Sequence, residues 1–584
     1  MNNRMRLLLS IPNADLMAEA ARCKAAAAKV RTLPSKSICM WGYIGLIFLM
    51  ARVEAGGRVT VTPTVPTRVE EATLFSFDDI SIPYTYNLYL SMHAAQKHPD
   101  NPVVPLGEDG EPDEWAQTYY GTVIRHEGKF KMWYIGTSRE GFESPELGGN
   151  RYSGGIDTRG WRALYAESED GVRWVKPNLG LVEFRGSRDN NIVFMPEGFR
   201  GYHIMVLHEP EDPDPTRHFK ATVQVTNYGG YTVPQVAAET TFRGPPGAYL
   251  TLYSGDGLRW RLAEELIPEG GKTISGGIQL VTRLEGTGLW KWKGMYYLAG
   301  QGKGSPAVEP YGRHVEIFRS SDLIHWSRTQ TMGFAREGQF RRPRSLKRPL
   351  PNEQTHEGVS VWNRGNVLIG ITGFWHGGAK WTDVLHPLGF LVSNDGLHFR
   401  EPLPEFIFAE VGEDGRDWDY GGLSQGQGFE NVGDKTYIWY GQMDQRMGIR
   451  AGTSWKRHRG IGLLLLDRDR FGSLSVRDPD EVGILLTSDL QLEGAAQLWV
   501  NAEGLGPRSS LKVELLDRLE RPLPAFSGGN SAVVEKSGLR TPIHWRSAHP
   551  LRNLGDPFKI RVTLQGDESG AIRLYALYLG PPQE

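Results

Sequence analysis

Carboxylate side chains that could exchange protons stand at three places where a turn leads into an apolar strand pattern. They are Asp78 and Asp79 in FSFDDISIPY, Glu209 in VLHEPEDPDPTRHFKA, and Glu357, next to His356, in QTHEGVSVW. Two carboxyl groups, one protonated and one ionised, can act as general acid and general base on a substrate held between them. His356 could hydrogen-bond the carboxyl group beside it. Each carboxylate also has a purely structural alternative, as a surface residue or a turn residue.

A run of basic residues occupies the stretch REGQFRRPRSLKRPL at 336–350. Its cations are Arg336, Arg341, Arg342, Arg344, Lys347 and Arg348, against the single acidic residue Glu337. Such a charge run is typical of a solvated loop between elements. The alternative is capture of an anionic ligand, because guanidinium forks match the geometry of carboxylate and sulfate groups.

Motifs for other kinds of chemistry are missing from the sequence. It contains no P-loop, no G-x-G-x-x-G that opens a helix, no H-E-x-x-H and no C-x-x-C. No carboxylate-rich loop has the spacing of a Ca²⁺ site, and the histidines lack regular ligand spacing. We therefore predict no cofactor and no metal. The net charge of -2 gives no general attraction to nucleic acid or to an anionic membrane.

The element that must position these residues is a repeated turn with the pattern S-x-D-G-x-x-W. It occurs as AESEDGVRW at 166–174, YSGDGLRW at 253–260, RSSDLIHW at 319–326 and VSNDGLHF at 392–399. Asp hydrogen-bonds the local backbone and Gly accepts a positive φ, so the pair predicts a tight turn after a strand. The following Trp or Phe would anchor the turn in a core. Four copies indicate architecture more than catalysis.

A second pattern, a turn followed by a strand, repeats in phase with the first. Its copies are EGKFKMWYIG, TRHFKATVQV, WKGMYYLAG, NRGNVLIGITG and VGDKTYIWYG, and the fifth is followed by HRGIGLLLLDRDRFGSL in place of the S-x-D-G turn. Five units of roughly 70 to 90 residues with about four short strands each predict a five-bladed β-propeller over residues 70–470. The alternative, stacked β-sandwiches, does not explain why the two patterns repeat in phase.

Residues 471–584 have a different sequence pattern, which predicts a separate antiparallel β-sandwich. LKVELLD and FKIRVTL alternate apolar and polar residues with a period of two. This domain could bind carbohydrate or simply pack against the propeller. With 71 Gly, 36 Pro and 39% hydrophobic residues, the 584-residue chain as a whole is typical of a large all-β protein.

The N-terminal 55 residues have the three-part layout of an export signal. Basic residues precede an apolar run from Ile38 to Met50, and small residues end at Ala55. The apolar run is short for a bilayer span. We expect cleavage near Gly56 and an exported protein with no stable membrane insertion, in which neither Cys23 nor Cys39 remains. The alternative is a tethered or mis-started N-terminus.

From about residue 70 to the C-terminus, the sequence resembles the five-bladed propeller glycosidases. These are the invertase and levanase family, the arabinanase and xylosidase family, and their relatives, whose blades end in S-x-D-G-x-x-W before a C-terminal β-sandwich. The stretches LFSFDDISI, KHPDNPVVP, YGTVIRHEGKFKMWY, SEDGVRWVKPNLGLVEFRGSRDNNIV and GDKTYIWYG are similar to exported bacterial proteins described as glycosyl hydrolase-like. These motifs specify a fold much more than a substrate.

The resemblance implies roles for the carboxylates around a central funnel. Glu357-Gly358 is similar to the Glu-Gly-Pro signature in which Glu is the general acid, although Val359 replaces the proline. Asp79, or its neighbour Asp78, matches the position of an N-terminal catalytic aspartate. Glu209 stands where these families place a carboxylate that orients the acid and tunes its pKa. A structural Ca²⁺ is possible by analogy alone.

Substrate-binding residues are expected at the funnel. Gln425 and Gln427 alternate on one strand face, and their amide groups suit sugar hydroxyls. Aromatic platforms for a sugar ring are expected among Trp290, Trp362, Trp375 and Trp418. The leading function is an exported glycoside hydrolase. Alternatives are a non-catalytic carbohydrate-binding propeller, or a polysaccharide lyase or phosphorylase on the same scaffold.

Overall fold

Nearly all regular structure in the chain is β-strand, as its composition predicted. The computed structural model divides the chain into the units Met1–Val65 and Pro66–Glu584. It describes residues 68–139, 161–196, 203–225, 247–263, 267–269, 273–275, 280–282, 285–302, 313–327, 331–336, 354–376, 385–413, 415–443, 460–547, 551–552, 554, 556–566 and 571–582. The predictions that fall outside these residues concern the leader at 1–55 and the side chains of Arg341, Arg342 and Arg344.

The strands between residues 96 and 467 form the repeated part of the chain. They are β4 (Gln96–Lys97), β5 (Val104–Pro105), β6 (Ala116–His126), β7 (Lys129–Thr137), β8 (Trp161–Ser168), β9 (Ile204–His208), β10 (Phe219–Val225), β11 (Gly247–Ser254), β12 (Arg261–Leu262), β13 (Ile267–Glu269), β14 (Thr273–Ser275), β15 (Leu280–Thr282), β16 (Glu285–Trp292), β17 (Met295–Gly302), β18 (His314–Ser320), β19 (Thr331–Phe334), β20 (Gln354–Asn363), β21 (Leu368–Trp375), β22 (Leu388–Ser393), β23 (Ile407–Ala409), β24 (Leu423–Val432), β25 (Lys435–Gln442) and β26 (Gly460–Asp467). Three earlier strands are β1 (Ala72–Phe75), β2 (Tyr84–Tyr86) and β3 (Leu88–Met92).

The strands of the repeated part pair as five successive antiparallel units. Unit one is β6-β7-β8, unit two is β9-β10-β11-β12, unit three is β16-β17-β18-β19, unit four is β20-β21-β22-β23, and unit five is β24-β25-β26. Strands β15 and β11 also pair, and β13 and β14 form a small hairpin. Unit five is completed on its outer side by β4 and β5, which both pair with β26. A segment that precedes unit one thus supplies the outer strands of unit five.

The first strands of the five units contact one another in a ring. Strand β6 contacts β9, β9 contacts β16, β16 contacts β20, β20 contacts β24, and β24 contacts β6. The last of these contacts is a short parallel pairing of Gln427 with Thr122 and of Gly428 with Val123. Between β6 and β9, the Val206 backbone N–H donates to Thr122 Oγ1 at 2.9 Å. The ring is therefore held by direct hydrogen bonds as well as by packing.

The repeated S-x-D-G turn closes the third strand of units one to four. In unit two, Asp256 accepts hydrogen bonds from the backbone N–H groups of Leu258 and Arg259, each at 2.8 Å. Gly257 has a φ of +75° there, and its carbonyl accepts the indole N–H of Trp133 from unit one at 2.7 Å. The motif is thus a tight turn, as predicted, and it also joins neighbouring units.

The C-terminal strands form two sheets with a hydrophobic core between them. They are β27 (Gly472–Val476), β28 (Gly483–Leu486), β29 (Ala495–Glu503), β30 (Ser510–Asp517), β31 (Ala532–Val534), β32 (Gly538–Pro542), β33 (Leu551–Arg552), β34 (Phe558–Gln565) and β35 (Arg573–Gly580), with 3-10 turns at Pro524–Phe526 and Gly528–Asn530 and another at Pro215–Arg217 in unit two. One sheet has the order β3-β27-β35-β29-β32, and the other has the order β2-β28-β34-β30-β31.

Strands β1 to β3 belong to these C-terminal sheets, which differs from the boundary expected at residue 70. Strand β1 pairs with β35, β2 with β28, and β3 with β27. Phe75 and Phe77 pack in a cluster that also contains residues of units four and five, so this segment lies between the sandwich and the ring. The first strands of the chain therefore complete the last domain.

Candidate functional site

Irregular pairing marks the first strands of four units. The register between first and second strand shifts between Thr118 and Thr122 in β6, between Gly286 and Gly288 in β16, between His356 and Ser360 in β20, and between Gln425 and Phe429 in β24. These bulges lie in the first half of each strand. Bulges redirect side chains and interrupt pairing. We call the end of the ring at which these bulges lie the bulge end, and the opposite end, where the first strand turns into the second, the hairpin end.

Glu357 lies within the bulge of β20, on a ring strand as the sequence predicted. Gly358 follows it with a φ of +77°, and a Cβ atom added there would lie 2.4 Å from the Cα of Gly300 in unit three. Only glycine fits this position, since the backbone is left-handed and a neighbouring backbone approaches closely. Gly358 is thus required by the shape of the bulge.

Gln425 holds the backbone on both sides of Glu357. Its Nε2 donates to the carbonyl oxygens of His356 at 3.2 Å and Gly358 at 3.1 Å. Thr372 Oγ1 also donates to the Gly358 carbonyl. Gln425 is buried, so the structure gives it a backbone clamp where we had expected a ligand for sugar hydroxyls.

Gln427 likewise contacts protein backbone in place of the expected ligand. Its Oε1 accepts the Val361 N–H at 3.1 Å, and its Nε2 donates to the Val361 carbonyl. Both amides of β24 therefore tie unit five to the first strand of unit four. This use follows from their position on β24, which faces β20 in the ring.

His356 lies in a buried aromatic stack beside the bulge. Its ring centroid is 4.6 Å from that of His386 and 5.8 Å from that of Trp375, and Arg313 lies 3.9 Å from the centre of the Trp375 ring. Burial, followed by the charges of His386 and Arg313, holds the pKa of His356 well below its ordinary value. His356 is therefore neutral and places no positive charge beside Glu357.

Asp78 and Asp79 lie at the other end of unit four, which contradicts their expected meeting with Glu357. Arg400 donates to both carboxylates, and Asn394, just after β22, donates to Asp78 at 2.9 Å. The pairings Asn363↔Leu368 and Leu368↔Ser393 place this contact at the hairpin end of the unit. Because of the bulge, the stretch from Glu357 to Asn363 opposes only about four residues of β21, which is roughly 13 Å along a strand. Paired catalytic carboxyl groups lie only about 5 to 10 Å apart.

Glu209 also lies at the hairpin end, directly after β9, and it is part of an ion-pair cluster. Its Oε2 accepts from Lys220 at 2.6 Å, from Lys291 at 2.9 Å and from the Tyr296 hydroxyl at 2.9 Å. Burial alone would raise the pKa of Glu209, but these hydrogen bonds outweigh it and hold the pKa below its ordinary value. Glu209 therefore joins units two and three and does not adjoin Glu357.

The four predicted tryptophan platforms pack against protein. Trp290 and Trp375 are buried, and Trp290 stacks on Tyr297 at 5.3 Å. Trp362 is half-buried and stacks on Phe429 at 5.9 Å, and Trp418 is half-buried with its ring 5.7 Å from Tyr440. Trp290 and Trp362 lie near the hairpin ends of β16 and β20, away from the bulges, and Trp418 precedes β24. Of the basic run, Arg336 is described, and it is buried over the Phe374 ring.

Glu285 is a glutamate at the bulge end of the ring that the sequence analysis did not single out. It begins β16, the first strand of unit three. A Cβ atom added to Gly288 in β16 would lie 2.0 Å from the Val359 carbonyl oxygen in β20, so the two first strands nearly touch at their bulges. A signal was present, because EGTGLW and EGVSVW share a Glu-Gly pair with Trp five residues after Glu.

Comparison with known proteins gives only distant structural neighbours. No family model matches the chain, and no curated protein matches it. Similar solved structures include a glycosyl hydrolase from Bacteroides ovatus, with 15% identity, a TM-score of 0.37, and coverage of 65% of this chain and 95% of that chain. Another is a family 32 β-fructofuranosidase from Bombyx mori, with 10% identity, a TM-score of 0.34, and coverage of 84% and 95%.

A third neighbour is a glycoside hydrolase family 43 arabinoxylan arabinofuranohydrolase from Bacillus subtilis in complex with cellotetraose. It has 11% identity, a TM-score of 0.34, and coverage of 82% of this chain and 99% of that chain. At these identities and scores, the likeness transfers no residue role.

The described residues include neither a metal-binding cluster nor a membrane-spanning helix. They contain no cluster of three or more His, Cys, Asp or Glu side chains arranged to hold a metal ion. They also contain no helix with the length and apolar character needed to cross a bilayer.

Proposed function

We propose that the five units are the blades of a five-bladed β-propeller, and that the C-terminal sheets are a β-sandwich joined to it. The ring of first strands supports this arrangement, because each strand contacts the next and β24 returns to β6. The pairing of β4 and β5 with β26 supports it further, since a segment that precedes the first unit thereby supplies outer strands of the last unit.

We propose that the protein is a carbohydrate-active enzyme that hydrolyses a glycosidic bond, with Glu357 as the proton donor. The observation that supports this is the fixed backbone of Glu357 on a ring strand. Gln425 donates to the carbonyl groups on both sides of Glu357, and the positive φ of Gly358 sets the shape of the bulge. Catalytic groups need such positioning to work on a bound substrate. The Glu357 assignment also agrees with the resemblance in the sequence.

We propose Glu285 as the second carboxylate, in place of Asp79. Its strand adjoins β20 at the bulge, whereas Asp79 contacts the opposite end of unit four. A nearby carboxylate raises the pKa of a carboxylic acid and helps to keep it protonated. His356, being neutral, does not oppose that effect. One carboxylate can then protonate the leaving oxygen while the other activates water or attacks the sugar carbon.

The test is turnover of a panel of neutral and anionic oligosaccharides by the full chain and its variants. Glu357→Gln removes the proton donor and keeps its shape, so turnover of the best substrate should fall by roughly 10²-fold or more. Substrates with a fluoride or activated aryl leaving group should lose much less, because they need little protonation. Glu285→Gln should reduce turnover of both kinds of substrate.

Asp79→Asn is the matched control, and it should leave turnover within about twofold of the parent because it acts far from the bulge. Normal turnover by Glu357→Gln on an unactivated substrate would remove the assignment. Tight binding of a saccharide by the parent protein without any turnover would favour the non-catalytic alternative.

We propose that the protein is exported, on the strength of the basic, apolar and small-residue layout that ends at Ala55. Protein recovered from its native host should then begin near Gly56 when its N-terminus is sequenced. A mature form that retains both cysteines in the cytosol would contradict export. The basic run at 336–350 and its anionic ligand stay predictions, which binding assays at low and high salt would test.

A further inference from the structure

Two exposed tyrosines stand side by side at the edge of the sandwich. Tyr84 is 52% exposed and Tyr86 is 46% exposed, and both belong to β2, the edge strand of the sheet β2-β28-β34-β30-β31. Residues two apart on a strand point to the same face. Two exposed aromatic rings that share a face offer a flat surface on which a ligand ring can stack.

Strand register shows that this is the outer face of the sheet. Cross-strand neighbours continue the row that begins at Tyr86: they are Ile484, Thr563, Lys512 and Val533, all half-buried or exposed. The alternate row consists of Leu485, Val562, Val513 and Ala532, all fully buried in the core. We call the outer row, together with Tyr84 and Tyr86, the tyrosine face.

The tyrosine face is ordered before any ligand binds. The Tyr86 hydroxyl donates to Glu481 at 2.5 Å, and the Asn87 side chain donates to the carbonyls of Asp478 at 2.9 Å and Glu481 at 3.0 Å. These contacts fix the end of β2 against the turn between β27 and β28. A pre-ordered surface loses less conformational freedom on binding.

Charge on and around the tyrosine face favours a neutral ligand. Lys512 and Arg561 both pair with Glu514, at 3.0 Å and 2.7 Å, so one of their two positive charges is offset within the sheet. The turn that holds the tyrosines carries exposed carboxylates, at Asp478 and Glu481. An anionic polymer would be repelled there, whereas sugar hydroxyls can donate to carboxylates while the ring stacks on tyrosine.

Strand addition by a peptide is a poorer fit to the same edge. Strand β2 is three residues long, and it is bounded by Pro83, which has no N–H, and by Asn87 at a φ of +50°. Short edges flanked by such residues resist pairing with another chain. The side chains of this edge therefore offer more for recognition than its backbone does.

We propose that the tyrosine face is a second carbohydrate-binding site, which holds a neutral saccharide chain away from the reaction site. The choice of a saccharide rests on the proposed carbohydrate-active function, but the location does not. The segment before β2 contacts Asn394 at the hairpin end of unit four, the end remote from Glu357. The site would anchor a polymer while another part of it enters the ring.

Affinity gel electrophoresis of the full chain tests the proposal, with arabinoxylan, β-mannan, levan or polygalacturonate dissolved in the gel. At least one neutral polysaccharide should retard the parent protein, and polygalacturonate should retard it less. The double variant Tyr84→Ala/Tyr86→Ala should bind about tenfold more weakly, as expected from the loss of two stacking contacts. Leu519→Ala, a matched control at a 73% exposed apolar residue elsewhere on the sandwich, should behave like the parent.

Further variants separate this site from the reaction site and from misfolding. Tyr86→Phe keeps the ring and should retain most of the retardation. Glu357→Gln should retain the retardation, and the tyrosine double variant should retain turnover of short soluble substrates. If the double variant loses the retardation and the parent protein shows no turnover at all, the binding site would be supported and the proposed hydrolase function would be refuted.

Four results would overturn the proposal. The first two are that no neutral polysaccharide retards the parent protein, and that the double variant is retarded as much as the parent. The other two are that Glu357→Gln loses the retardation, and that Tyr86→Phe and Leu519→Ala lose it to the same extent as the double variant. A fluorescent oligolysine peptide that binds the parent but not the double variant, while the polysaccharides bind both, would replace the saccharide with a basic protein partner.

Discussion

At the scale of single residues, the candidate site depends on a carboxylate whose backbone is held by its neighbours. Gln425 reaches from unit five to the two carbonyls that flank Glu357, and Gly358 allows the bulge between them. Each such hydrogen bond contributes about 1 kcal/mol, and a buried carbonyl left without its donor costs about 1 to 3 kcal/mol. The clamp therefore fixes a catalytic position at a moderate structural cost.

Replacing Gln425 tests the clamp. Gln425→Leu removes both donated bonds, so Glu357 should lose its alignment and kcat should fall about tenfold or more, with a smaller change in KM. Gln427→Leu is the control, because Gln427 binds the Val361 backbone beyond the bulge. It should lower the urea midpoint by a similar amount and leave kcat nearly unchanged. Equal kcat losses in both variants would assign Gln425 a structural role alone.

Sequence reasoning placed Glu357 on a ring strand but paired it with the wrong partners. The position of Glu357 followed from the repeat, which locates each first strand ahead of a recurring hairpin. Asp78 and Asp79 were placed by sequence order, since they precede unit one, and order does not reveal that β1 pairs with β35. Glu285 was not predicted, because a Glu-Gly pair alone is a permissive pattern and only the pairing of strands shows that β16 lies beside β20.

At the scale of elements, the S-x-D-G-x-x-W turn both ends a strand and contacts the next unit. Gly171 and Gly257 each accept an indole N–H, from Trp439 and Trp133 respectively. In unit three the equivalent of Gly is Leu323, which keeps a φ of +68° and accepts the Thr251 hydroxyl at 2.6 Å. The contact between units is thus kept even where glycine is replaced.

Adding one methyl group to this turn should destabilise the ring. In Gly257→Ala the new Cβ would lie 2.7 Å from the Trp133 ring, at a φ of +75°. We expect a loss of about 2 to 4 kcal/mol, because strain and overpacking act together. Gly180→Ala has a φ of +69° with nothing within 4 Å, so it reports the strain alone, about 1 kcal/mol. Urea unfolding measures both, and equal losses would exclude a packing role.

At the scale of the whole molecule, the sandwich and the ring are parts of one interdependent structure. Arg364 of unit four binds Asp469, which also accepts from Asn431 of unit five and from Tyr578 of the sandwich. Asn366 of unit four exchanges two hydrogen bonds with the backbone of Thr73 in β1. The fold class was predictable from phased repeats. The membership of β1 to β3 was not, because strands of three to five residues carry no information about a distant partner.

Truncation tests this interdependence. A chain that ends at Arg470 loses the partners of β1, β2 and β3 and exposes the cluster around Phe75 and Phe77, so we expect it to be insoluble or partly unfolded by circular dichroism. A chain that begins at Pro66 keeps all these strands and should unfold at the parent temperature. A soluble ring that ends at Arg470 with an unchanged melting temperature would show that the domains are independent.

The pairing of β1 with β35 also has a consequence for the order of folding during synthesis. Leu74 and Leu577 are partners, yet roughly five hundred residues separate them, so the ribosome releases the first strand long before its neighbour exists. Pairings of such high sequence separation form late and slowly, because a long loop must close first. The earliest strands must wait as an unpaired, apolar segment until translation is complete. A chain that cannot finish folding before its last strands emerge remains partly unfolded during synthesis, which is compatible with the export that we propose.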